Sequence, residues 1–168
     1  MEDLGINQKY LIPEKEKNLK DVYSGYTYFA ENDVLLAKIT PCFENGKLGI
    51  AKGLINEIGF GSSEYVVFRP SKELRPEFLY YFLSREKFRK EGINYMKGAV
   101  GHKRVSLEFV SNYLIPVPPL VTQDEIASAI DSKLSSFDGT MPSKDEFASL
   151  LSDLGLEMPP PPSKSDEN

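Results

Sequence analysis

The sequence predicts an α+β chain: strand-like runs gather before residue 70, and helical patterns dominate after residue 76. Three observations support this. Residues 34–39 are apolar on both faces except at Lys38, as in a strand covered on both sides. Asn45-Gly46 is the strongest short hairpin signal in the chain. From Pro76 onward, apolar residues recur at helical rather than alternating spacing.

In chain order, residues 1–20 are polar, with a mixed Glu14-Lys15-Glu16-Lys17 run and a short strand near Tyr10 to Ile12. Residues 22–30 are rich in strand formers around Gly25, and Glu31-Asn32-Asp33 turns the chain into the strand 34–39. A second strand, Leu48 to Leu54, is punctuated by Gly49 and Gly53. Ile58 to Ser63 then leads into a strand from Glu64 to Arg69. Residues 76–91 read as one helix with Pro76 in its first turn, an apolar stripe of Leu79, Phe82 and Leu83, and Gly92 as a left-handed stop. A loop with Gly98 and Gly101 follows, Ser106 caps a short helical turn over 107–111, and Tyr113 to Val117 reads as a strand ended by Pro118-Pro119.

The C-terminal part carries two capping boxes. Thr122-Gln123-Asp124-Glu125 starts a helix with the stripe Ile126, Ile130, Leu134 and Phe137. Gly139 and Pro142 break it, and Ser143-Lys144-Asp145-Glu146 starts a second helix with Phe147, Leu150, Leu151 and Leu154. These stripes point to a helical hairpin or to pairing with another chain, a second copy included. The expected organisation is a body over 1–120, a helical hairpin or dimerisation segment over 121–156, and a disordered Pro-rich acidic tail over 157–168.

Net charge is −5, which argues against a simple polyanion binder, but the charge is unevenly spread. Residues 1–120 hold 17 Lys and Arg against 15 Asp and Glu, while residues 121–168 hold 3 against 10. Residues 85–104 alone hold 7 basic and 2 acidic side chains. A near-neutral body with one basic segment therefore precedes an acidic tail. A single cysteine cannot close an internal disulfide, which fits a reducing, cytoplasmic compartment. No apolar run approaches the ~20 residues of a membrane span.

The residues do not read as an enzyme. One histidine, His102, and one cysteine, Cys42, cannot supply an N/S zinc site. Gly59-Phe60-Gly61 lacks the rest of a dinucleotide fingerprint, and there is no phosphate-binding loop. Nothing singles out a pair of carboxylates for acid–base work, and no cofactor is expected.

Three segments carry a more specific signal. The first runs from Asn32-Asp33-Val34-Leu35 through Lys38-Ile39-Thr40-Pro41 to Glu44-Asn45-Gly46-Lys47. The second is Gly59-Phe60-Gly61-Ser62-Ser63-Glu64 with the strand after it and Arg69-Pro70. The third is Ile115-Pro116-Val117-Pro118-Pro119-Leu120 followed by Gln123. In this order and spacing they resemble the target recognition domain of the DNA specificity subunit of type I restriction–modification enzymes, over roughly residues 1–130. The resemblance implies a twisted, mainly antiparallel sheet with packed helices. It implies a non-catalytic, sequence-specific reader of double-stranded DNA that docks methyltransferase and restriction subunits. It also places the counterpart of Met1-Glu2-Asp3-Leu4 inside the domain, so the first strands of the family fold are expected to be missing. The long family helix after the proline motif is cut short here by Gly139 and Pro142, and the acidic tail has no counterpart in the family.

For DNA contact, the best segment is the basic loop from Tyr95 to Ser106. Its glycines permit close backbone approach, Lys97, Lys103 and Arg104 can neutralise phosphates, and His102 or Arg104 can reach a base edge. Lys47 is a further phosphate candidate. The stretch Lys38 to Lys47 reads mainly as scaffold, crossing between strands at a sheet edge. The competing reading is a protein–protein module derived from the same fold, without DNA binding, whose partner-binding stripe is Ile126, Ile130, Leu134 and Phe137.

Overall fold

The computed structural model describes residues 3–13 and 15–136. Phe137, the second capping box with its helix, and the Pro-rich tail lie outside the described residues. The order of elements is β1 (Tyr10–Leu11), α1 (Leu19–Val22), β2 (Thr27–Ala30), β3 (Val34–Ala37), β4 (Leu48–Ala51), β5 (Ile58–Gly61), β6 (Tyr65–Phe68), α2 (Pro76–Ser84), α3 (Glu86–Ile93), β7 (Met96–Lys97), β8 (Arg104–Val105), α4 (Leu107–Ser111) and α5 (Leu120–Ser136). The α+β class is as expected, and antiparallel pairs dominate.

The main sheet has the order β1-β4-β3-β6, with β1 parallel to β4 and the other pairs antiparallel. Its central strand β3 is buried along its whole length, because each face is covered. Val34 and Leu36 face one layer, with Leu48, Ile50 and residues of α2 and α5. Leu35 and Ala37 face the other, with Leu4, Leu11, Phe29 and Tyr65. That two-sided burial is why β3 reads as a continuous apolar run rather than an alternating one. A two-stranded ribbon, β2 with β5, belongs to the second layer. Gly59-Phe60-Gly61 is therefore a strand in its own right, not a lead-in. Gly59 is required there because the Phe29 ring occupies the space a β-carbon would take, 2.3 Å away.

Several sequence expectations need correction. The Asn45-Gly46 step is not a two-residue hairpin, and the connection does not run at a sheet edge. β3 and β4 are the two interior strands, and the chain between them coils through residues 38–47. It is closed by Phe43 N–H to Ile39 O, Asn45 N–H to Pro41 O and Lys47 N–H to Cys42 O. It is this long because Phe43 must reach the core, where it is fully buried against Phe88. Only Gly46 takes positive φ (76°), and the Thr40–Pro41 peptide is cis.

The helix expected over 76–91 is two helices, broken where Arg85 adopts extended backbone. The break is stabilised by guanidinium donors on the carbonyls of α2: Arg85 Nε to Phe82 O at 2.8 Å and Arg89 Nη1 to Ser84 O at 2.6 Å. Gly92 is not a left-handed stop. It lies inside α3, where a β-carbon would stand 2.4 Å from the Phe43 ring. Tyr113 to Val117 forms no strand. Pro116 and Pro118 lack the N–H donors a ladder needs, and the segment runs over the core as an extended link.

Nor is there a capping box at Thr122. The helix already begins at Leu120, and the Gln123 side chain turns inward. Gln123 is fully buried, and its amide makes three bonds: it accepts from Arg75 N–H at 2.7 Å and donates to Glu73 O at 2.8 Å and Pro118 O at 2.7 Å. Beyond it, Ile126 and Ile130 are both 0% exposed and share the core with α2, with Leu134 partly buried against it. The helix read as a separate segment thus packs into the preceding body. Lys9 adds a tie from the N-terminal side, donating to both oxygens of Asp131, which also accepts from the Tyr81 hydroxyl.

Two stability consequences are measurable by chemical denaturation. Ile130→Ala should cost about 2–5 kcal/mol, as for other buried aliphatic truncations. Gln123→Leu, of similar size, should cost about 1–3 kcal/mol, because it removes all three bonds of the buried amide and leaves their partners unpaired. Wild-type stability in either variant would show that α5 does not pack as described.

Candidate nucleic-acid interface

β7 and β8 form a short antiparallel ribbon with Met96 opposite Val105 and Lys97 opposite Arg104. The loop between them spans residues 98–103. Gly98 takes φ +128°, and a β-carbon there would stand 2.9 Å from the His102 carbonyl oxygen, so no larger residue fits without movement. His102 N–H donates to Ala99 O at 2.9 Å and closes the tip.

The ribbon is fixed to the main sheet by its backbone. Thr40 N–H donates to Lys103 O at 2.9 Å, and Val105 N–H donates to Lys38 O at 2.9 Å. Ile39 and Arg104 form an isolated antiparallel bridge between these bonds. Side chains complete the junction. Arg104 donates to both carboxylate oxygens of Glu64, with Nη2 to Oε1 at 2.6 Å and Nε to Oε2 at 2.9 Å. Lys38 Nζ donates to Ser63 O at 3.0 Å. The lysine that directly follows β3 is thus part of a joint between three segments distant in sequence.

This geometry sorts the expected contact residues. Lys97, His102 and Lys103 are exposed on the ribbon and its loop. Arg104 is on the ribbon too, but its guanidinium is occupied by Glu64 and its Nη1 by the His102 carbonyl at 3.1 Å. In this arrangement it is turned to the carboxylate of Glu64. Lys47 is half-buried just before β4, in an isolated bridge with Ile6, and does not belong to the ribbon. Ile126 and Ile130 are covered by the chain's own core and offer no surface to a partner. Sequence pattern does not single out Glu64 as a site residue. Its only signal is its place in the Gly59 to Glu64 motif, since a forty-residue separation from Arg104 hides the pairing.

The Arg104 hydrogen bonds hold the Glu64 carboxyl below the ordinary carboxylate range, with partial burial opposing and the charges of Arg104 and Lys38 reinforcing the shift. Glu64 raises the Arg104 guanidinium in turn.

Elsewhere, a cleft of about 550 Å³ is lined by Asp33, Lys52, Arg69 and Arg75 among others. Its charges are largely paired internally. Asp33, 1% exposed, accepts from Arg69 Nε and Nη2 and from Ala30 N–H. Arg75 pairs with Asp124, and Lys52 with Asn32 and Glu77. Among the described residues, no three His, Cys, Asp or Glu side chains gather as a metal site, and no helix is long and apolar enough to cross a membrane.

The described residues thus form a buried mixed sheet with a basic ribbon attached through backbone bonds. The sequence matches the type I restriction modification DNA specificity domain over residues 5–140, and the chain belongs to that family. It is 45% identical over 111 residues to the type I restriction enzyme EcoAI specificity subunit of Escherichia coli, covering 66% of this chain and 19% of that protein. It is 43% identical over 119 residues to the EcoEI specificity subunit of the same organism, covering 70% and 20%. The chain therefore spans about a fifth of the length of these relatives. The crystal structure of the HsdS subunit from Thermoanaerobacter tengcongensis matches with a TM-score of 0.64 at 22% identity, covering 82% of this chain and 35% of that one, a likeness of fold.

Protonating Glu64 should loosen the ribbon. A carboxyl with a depressed native pKa contributes its stabilisation above the ordinary carboxylate range and loses it as pH falls through the depressed value. Amide exchange at Val105, corrected for its intrinsic pH dependence, should therefore become less protected on acidification. Glu64→Gln should show the weaker protection already at neutral pH. Protection in that variant equal to wild type would mean that backbone bonds alone hold the ribbon.

Proposed function

We propose that this chain is a non-catalytic module that reads double-stranded DNA as part of a type I restriction–modification specificity subunit, in the cytoplasm. One observation carries the reading: in a chain of this family, the β7–β8 ribbon displays Lys97 and Lys103 outward while its base is fixed to the sheet. A pre-set pair of cations neutralises phosphates without first losing the entropy of ordering a loop. The overall charge of −5 does not oppose this, because the negative excess lies after residue 120.

Assembly with methyltransferase and restriction subunits is the finer part of the proposal, and it rests on the relatives being specificity subunits. Docking in this reading uses surfaces other than Ile126 and Ile130, which α2 and the sheet already cover. A protein–protein module would likewise have to use residues other than these two.

Lys97→Ala with Lys103→Ala should leave the melting temperature unchanged and weaken duplex binding at low salt. The slope of log affinity against log salt should shrink by about 1.8, roughly 0.9 for each phosphate left without its lysine. Unchanged affinity and slope would remove the ribbon from the interface.

A further inference from the structure

The tip of the ribbon carries a pattern that phosphate binding leaves unused. Between Lys97 and His102 the chain reads Gly98-Ala99-Val100-Gly101, four residues without a polar side chain, collared by Lys97, His102 and Lys103. Val100 is 92% exposed, the highest value among the exposed large apolar residues of the described chain. A tip that only reverses the chain favours Gly, Asn, Asp or Ser. Here a β-branched apolar side chain is held in water on a loop closed by the His102–Ala99 bond and fixed below by Thr40 and Val105. The major groove of B-DNA admits a two-stranded ribbon, and the apolar group it displays is the C5-methyl of thymine.

We propose that Val100 is a base-reading residue: the ribbon enters the major groove of duplex DNA, and Val100 packs on a thymine methyl while Lys97 and Lys103 flank it on phosphates. The inference rests on the duplex-binding reading above and adds the residue and the chemical group by which sequence is read. An anionic membrane surface also suits an apolar tip with a basic collar. Family membership favours the duplex, and the experiment separates the two.

The test uses the full 168-residue chain and a duplex pool with a randomised centre. Duplexes selected by the wild type are remade with each thymine replaced in turn by uracil, which removes the methyl and keeps the pairing. At one or two positions the wild type should lose about fourfold in affinity, the worth of one buried methyl-sized group. At those positions Val100→Ser should bind thymine and uracil duplexes equally, with an unchanged salt slope and melting temperature. If wild type and Val100→Ser respond alike to uracil at every position, the role of Val100 is overturned while duplex binding stands. If the wild type binds no duplex, or binds only phosphatidylserine vesicles, both readings fall together.

Discussion

The buried amide of Gln123 is the interaction on which the arrangement of the helices depends. It satisfies a donor at the start of α2 and two carbonyls, one before α2 and one before α5, so it joins two helix beginnings, at Pro76 and Leu120, that lie far apart in the sequence. A polar group taken fully out of water is tolerable only when all its partners are in place, and that requirement admits few relative positions of the two helices. With those positions set, Ile126 and Ile130 fall on α2 and on the sheet face carrying Val34 and Leu36. Asp33, which lines one cleft with Arg75, does related work. Its carboxylate joins the turn before β3 to Arg69 at the end of β6.

Much of the fold is legible in the sequence because its signals are local. The apolar run of β3, the strand after Glu64, the start of a helix at Pro76 and the α+β class all appear where the pattern places them. The departures share one cause: a distant partner outweighs a local signal. Asn45-Gly46 has the chemistry of a tight turn, but Phe43 has to be buried. Gly92 has the chemistry of a helix stop, but it makes room for the same phenylalanine ring. Thr122 and Glu125 have the spacing of a capping box, but the helix starts earlier and the Gln123 amide answers Glu73 and Arg75.

The site is legible in part for the same reason. The basic loop stands out by composition, and the family resemblance marks the 38–47 and 59–64 motifs. That the three meet at one junction is not readable, since the bonds from Lys38 and Thr40 to the ribbon are main-chain bonds that leave no trace in side-chain pattern. Arg104 shows the cost of reading charge alone: an arginine in a basic run looks available, yet Glu64 engages it. The apolar stripe of α5 shows the counterpart for hydrophobicity. Its residues need cover, and their own domain supplies it.

Because the ribbon is held to the sheet largely by peptide groups, its attachment is nearly blind to which side chains stand between Gly98 and Lys103. Heredity can therefore treat the two parts differently. Changes near Phe43, Gln123 or Asp33 are felt throughout the body, whereas changes at the tip alter only what is displayed. A lineage built this way can rewrite a handful of codons at the tip without re-solving its folding problem each time.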